Sequence, residues 1–141
     1  MSLIAIKIIG SLSIALASLF IAKGMFGNKD KFFSVSNIIG LLFMILPVCL
    51  LYQEQYSSLV SIITFFIYII VFKKLFGINT ISSIVVSSYI VVLIALMDLI
   101  GTSVELRFFS YNYIRTNVII SVINNFYVSI AAILVSNILI F

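Results

Sequence analysis

Apolar residues follow one another along this chain for some twenty positions at a time, and charged residues mark the breaks. The first run covers about 3–22, with Lys7 near its start, and "KGMFGNKDK" (23–31) follows it. The second covers about 32–52 and ends at "QEQYS" (53–57), a polar stretch without Lys or Arg. A third run, about 58–72, is short and must borrow flanking residues to span a bilayer. "KKLFGINT" (73–80) separates it from the fourth, about 81–101, and "TSVELRFFSYNYIR" (102–115) leads into the last, about 116–140. A helix needs about 20 apolar residues to cross a hydrocarbon core of roughly 30 Å. Five segments meet that need, the third of them only marginally. The runs are continuous rather than alternating, which excludes the strands of a membrane barrel. The pattern predicts an all-α integral membrane protein, a bundle of about five transmembrane helices. Residues 1–141 form a single domain, with no soluble module, low-complexity linker or internal repeat.

Composition agrees. Of the 141 residues 64% are hydrophobic and 9% charged, against about 25% charged in a water-soluble domain. So few charges leave a globular surface uncovered, and the bilayer is the expected surrounding. The net charge of +4 lies in small clusters between the runs. Such clusters orient a membrane protein, whereas nucleic-acid binding needs a contiguous basic face. Lys23, Lys29, Lys31, Lys73 and Lys74 fall on one side of the membrane, and Lys7, Arg107 and Arg115 on the other. Basic residues accumulate in the cytoplasm, so the expectation is a multi-pass cell-membrane protein with its N-terminus outside and its C-terminus inside. "ALAS" (15–18) has the look of a signal-peptidase site, but the apolar run continues through Ile21, which favours a retained first helix. The lone Cys49 has no intrachain disulfide partner and reads as a lipid- or helix-facing residue.

Polar residues inside the runs mostly fit helix association. Ser11, Ala15, Ser18 and Ala22 make a stripe of small residues on the first helix, and Ser36 and Gly40 a similar pair on the second. Small side chains let helix backbones approach closely in lipid. Pro47 removes a backbone donor and should kink the second helix. Asn117, Ser121, Asn124, Asn125 and Ser136 share one broad face of the last helix. The first four are the candidate interhelical polar contacts, each worth about 1 kcal/mol, and a polar pathway is the functional alternative.

Asp98 is the carboxylate most deeply set in an apolar run, in "IALMDLIGTSVELR" (94–107). Asp98, Thr102 and Glu105 recur on one helical face, which Ala95 and Ser87 continue inward. Asp98 stands about 26 Å along the helix from Ile81, near the outer boundary of the core. A charge at the centre of a span costs about 2.5–3.5 kcal/mol, and less near its end. Arg107 and Arg115 lie close in sequence and are the candidate neutralising partners. Asp98, Glu105, Arg107 and Arg115 therefore form the candidate ion-pair or ligand-binding set.

Catalysis has little to stand on. The chain has no histidine, which removes the commonest general base and a usual metal ligand. Cys49 has no histidine partner, and "GMFG" and "LFGIN" are not phosphate loops. The expectation is a protein without enzymatic activity, metal or cofactor.

The stretch "FFIYIIVFKKLFGINTISSIVVSSYIVVLIALMDLI" (65–100), followed by "ELR" and "NYIRTNVIISVINNFYVSI", resembles the membrane sensor domain of the accessory-gene-regulator type of sensor histidine kinases. These are quorum-sensing peptide receptors of Gram-positive bacteria. Lys73, Lys74, Phe76 and Asp98 match the family's inner turn and the acidic end of its next helix, over about residues 58–130. The resemblance implies a bundle that binds an extracellular peptide and relays a conformational change inward. The family has six or seven membrane helices and a kinase with a phosphoacceptor histidine. This chain carries five runs and no such output, as a sensor fragment or a kinase-less relative would. Competing classes are a small oligomeric transporter or channel subunit, and an accessory protein packing against a larger membrane partner or as a homodimer.

The lysine distribution generates a prediction about orientation. In a Cys49→Ser background, Ser57→Cys should react with an impermeant maleimide in whole cells and Gly27→Cys should not. The opposite labelling pattern would reverse the assigned orientation.

Overall fold

The computed structural model describes residues 3–26, 35–50 and 57–140. Lys29, Lys31 and Glu54 lie outside the described residues, as does the side chain of Arg115. Among the described residues there are six helices and no strand: α1 (Leu3–Phe26), α2 (Val35–Leu50), α3 (Ser57–Phe76), α4 (Thr80–Glu105), α5 (Tyr111–Thr116) and α6 (Val118–Ile140). The protein is an all-α bundle. Four helices, α1, α3, α4 and α6, are long and apolar enough to cross a membrane, which suits a polytopic membrane protein. The described part of α2 is a 16-residue apolar helix, about 24 Å long and so shorter than the hydrocarbon core.

Helix ends differ from the expected breaks in instructive ways. The third segment does not stop before the lysines: α3 runs through Lys73 and Lys74 to Phe76 and reaches 20 residues. It thereby gains the length that its 15-residue apolar run lacks. Gly77 then takes a positive φ of 60°, a left-handed conformation that ends a helix at little steric cost in glycine. Two residues on, the Asn79 side chain accepts a hydrogen bond from the Ser82 N–H at 2.7 Å and caps α4. Lys73 Nζ donates to Thr80 Oγ1 at 2.9 Å across this turn. The α3–α4 hairpin is thus set by its own sequence. Helix α4 continues one turn beyond Gly101, to Glu105. Within the connection after it, Ser110 caps the short α5.

The five long helices form a ring in the order α1, α2, α3, α4, α6, closed by the extensive α6–α1 contact. Helix α1 also touches α3 and α4 across the ring. Its Ala15, Ala17, Ser18, Leu19, Ile21 and Ala22 are buried, which makes α1 the inner helix. Cross-helix contacts fix the directions. Gly10 of α1 meets Asn125 of α6, whereas Gly40 of α2 meets Val71 and Leu75 of α3. Hence α1, α3 and α6 run one way, and α2 and α4 the other. Lys23, Lys73 and Lys74 therefore share one end of the bundle, and the start of α1 and the end of α4 share the opposite one.

The core is densest toward the lysine end. Leu19, Phe72, Ile90 and Ala132 are fully buried there, and Phe72 joins an aromatic ladder. Its ring centroid lies 5.6 Å from that of Tyr68 and 6.1 Å from that of Phe76, which in turn stands 5.2 Å from Phe26. Ser83 of α4 donates to the Ile69 carbonyl of α3, a polar link inside an apolar layer.

Two glycines set helix spacing with opposite tolerance. A Cβ on Gly40 would sit 2.9 Å from Leu75 Cδ1 and 3.1 Å from Val71 Cγ1, and the end of a leucine can move. A Cβ on Gly101 would run into the Asn124 amide oxygen and lie 3.0 Å from the Tyr127 ring. Gly101→Ala should therefore lower thermal stability by about 1–3 kcal/mol, as overpacking does. For Gly40→Ala the strain is largely offset by the helix propensity of alanine, up to about 1 kcal/mol. Equal melting temperatures for the two variants would show that the contact at Gly101 does not set the α4–α6 distance.

Candidate functional site

Each of the five long helices turns one narrow stripe toward a common cavity of about 360 Å³. On α4 the stripe is Val91, Ile94, Ala95 and Asp98; on α3 it is Val60, Ser61, Thr64, Phe65 and Tyr68. Both recur every three to four residues, the spacing of neighbours on one helix face. Ser11 and Ile14 come from α1, Met44 and Val48 from α2, and Asn125 and Val128 from α6. Most of these positions lie in the half of the bundle away from Lys73 and Lys74, and Tyr68 and Val91 reach the middle of their helices. The cavity is partly open, and its walls are mainly apolar.

Below it the bundle closes. The hydroxyls of Tyr68 and Ser18, both buried, lie 3.3 Å apart. Ser18 directs its own proton to the Ile14 carbonyl at 2.8 Å, so Tyr68 is the donor between the two, a hydroxyl having a single proton to give. Phe72 and Leu19 fill the layer beneath. A smaller cavity of about 250 Å³ lies between α1, α2 and α6. It shares Ser11, Ile14, Val48 and Asn125 with the central one and is lined further by Lys7 and Ser121.

Asp98 is exposed and lines the central cavity. It stands about 27 Å along α4, so the carboxylate lies toward the end of the hydrocarbon core rather than at its centre. Its described hydrogen-bond partner is the amide of Asn124 on α6, whose Nδ2 donates to Asp98 Oδ1 at 2.6 Å. A carboxylate acceptor strengthens and shortens such a bond. The Asn124 carbonyl oxygen is buried against Gly101 and has no hydrogen-bond partner among the described residues. Asn124 is therefore oriented by one strong bond, and Gly101 leaves it the space.

The other expected site residues are distributed differently. Glu105 ends α4, and its carbonyl accepts from the Phe108 and Phe109 N–H groups at 3.0 and 2.9 Å. Arg107 occupies the exposed turn that follows. Asn117 caps α6, its Oδ1 accepting from the Ile119 and Ile120 N–H groups at 3.1 and 3.3 Å. Ser121 is exposed beside the smaller cavity, and Asn125 sits against Gly10. The stripe on α3 was not among the expected site residues. Its signal is present in the sequence, since Ser61, Thr64 and Tyr68 place three hydroxyls at helical spacing in the third run.

Among the described residues no group of three His, Cys, Asp or Glu side chains comes together as metal ligands would. Comparison with protein-family models, curated proteins and solved structures gives no match to this chain.

The Asp98–Asn124 bond predicts a coupled pair. Asn124→Ala removes the donor from a charged acceptor and should cost about 1.5–3 kcal/mol. Asp98→Asn keeps an acceptor oxygen for Asn124 and should cost less. In a thermal double-mutant cycle, the loss from Asn124→Ala should shrink once Asp98→Asn is present. Additive losses would show that the two side chains do not interact.

Proposed function

We propose that this chain is a receptor-like membrane sensing domain that takes part of a peptide ligand into the central cavity and carries no catalytic activity of its own. The observation that supports this reading is that all five long helices line one cavity. A ligand there touches every helix of the ring, so its binding can favour one arrangement of the bundle over another. The resemblance of residues 58–130 to accessory-gene-regulator-type sensors supports the same role. In this reading the cavity faces outward and the Lys73–Lys74 end faces the cytoplasm. The absence of histidine from the sequence supports the non-catalytic assignment.

The size of the cavity defines what enters. About 360 Å³ stands at the small end of the roughly 300–1,000 Å³ typical of ligand sites. One or two side chains of a peptide fit, and the remainder would lie on the exposed end of the bundle.

Thermal unfolding of the protein in nanodiscs, titrated with a panel of short apolar peptides, tests the reading. A true ligand should raise stability with the logarithm of its concentration, by about 2.7 kcal/mol at a hundredfold excess over Kd. Ala95→Phe, which places a ring in the cavity, should abolish the rise. If no peptide stabilises the protein and proteoliposomes pass a solute instead, the chain is a transporter. A larger membrane protein co-purifying at fixed stoichiometry, again without peptide stabilisation, would make it an accessory subunit.

A further inference from the structure

Among the described residues that line the central cavity, Asp98 is the one carboxylate and no basic side chain accompanies it. The other polar contributors are hydroxyls and the Asn125 amide. Asn124 occupies Asp98 Oδ1, but a carboxylate offers about four lone-pair sites. Most of its acceptor capacity remains for a ligand. Neighbouring walls are apolar: Val91 and Ile94 precede Asp98 on its own helix, and Met44, Val48 and Phe65 come from α2 and α3. A negative charge in such surroundings repels anions. A neutral ligand that displaced water would leave the charge poorly solvated in a low-dielectric site. A cation with several donors satisfies it, and the apolar walls require an apolar body next to that cation.

We propose that the cavity binds the protonated amino end of an apolar ligand, with the ammonium on Asp98 and the first apolar group against Met44, Phe65 and Val91. This inference rests on the receptor reading above and names the chemistry of its ligand. The cavity volume admits an amine and one or two apolar groups, as at the amino terminus of a hydrophobic peptide or the head of an amphiphilic amine. Met44 suits this role, since an unbranched thioether adapts to apolar groups of different shape.

Two matched probe pairs separate charge from shape and peptide from amphiphile. The first is the dipeptide amide Phe-Leu-NH2 with a free amino terminus, against its N-acetyl form. The second is octylamine against octanol. Binding is measured by thermal shift in phosphatidylcholine nanodiscs, and the Ala95→Phe protein reports partition into lipid, which is subtracted. The amines should bind about tenfold to a hundredfold more tightly than their neutral partners, the worth of a hydrogen bond to a charged group. Asp98→Asn should bring the amines down to the neutral level and leave the neutral probes unchanged. The comparison on the unaltered protein stands by itself if the Asp98→Asn chain does not fold. Preference confined to octylamine retains the charge anchor and assigns it to amphiphilic amines, and preference confined to the dipeptide amide assigns it to peptides. Equal binding of charged and neutral probes, lost from both in Ala95→Phe, overturns the cationic anchor while the cavity stands as a binding site. Failure of every probe to bind in an Ala95-dependent way overturns the receptor reading as well.

Discussion

In lipid, two helices gain little by burying apolar side chains against each other, because the acyl chains they displace are equally apolar. Association depends on close van der Waals approach and on a few hydrogen bonds. The arrangement of this bundle follows from how α1 meets that constraint. Ala15, Ser18 and Ala22 reduce the girth of α1 and are buried, so α1 can sit inside the ring and touch α2, α3, α4 and α6 at once. Gly10 extends the close approach to Asn125 at the other end. Larger residues along this stripe would move α1 outward, and the ring would lose the element that its other helices share.

The cavity is the complement of that core. Toward the lysine end, Leu19, Phe72 and Ile90 supply enough volume to fill the space between five helices. Toward the opposite end the inward positions are occupied by smaller groups, Ser11, Ser61, Thr64 and Ala95, and a space remains. These same small groups are mostly hydroxylic, which lowers the penalty of water in the space. Polar neighbours such as the Asn124 amide lower the cost of a carboxylate at this depth, since a charge facing lipid would be far less tolerable. Cavity and carboxylate thus explain each other.

Much of the fold is legible in the sequence because the signal is local: run lengths, the glycine and asparagine of the α3–α4 turn, and the stripe on α1 need no knowledge of neighbours. The ends of α3 and α4 were less so. Lys73 and Lys74 mark where a segment leaves the apolar phase, not where its backbone stops being helical, and Gly77 decides the latter. Site residues follow the same division. Helical spacing alone brings Asp98 to an inward face, but its partner depends on which helix lies opposite. Arg107 and Arg115 are the nearest basic residues in sequence, and the Arg115 side chain lies outside the described residues. The hydrogen bond described for Asp98 comes from Asn124, across the α4–α6 contact. Asn117 shows the converse. Its position in the polar set at the start of the last run does not distinguish a cap from an interhelical contact, and the backbone break between α5 and α6 does.

Helix α3 connects the two ends of the molecule physically. Tyr68 forms part of the cavity lining and is tied to α1 through Ser18. Lys73 follows one and a half turns later, about 8 Å along the same helix, and bonds across the turn to Thr80. No glycine or proline interrupts the path between them. Hinges need such a break or a loop, and continuous helices move as units. Tyr68 and Lys73 therefore belong to one uninterrupted helical segment, and Gly77, with its positive φ, is the first backbone break after them. The buried Ser83 hydroxyl ties α4 to the same segment of α3 through the Ile69 carbonyl. The cavity lining and the far turn are thereby joined by one continuous element, and α3 is the helix whose hydroxyl stripe and aromatic ladder give it contacts at both levels.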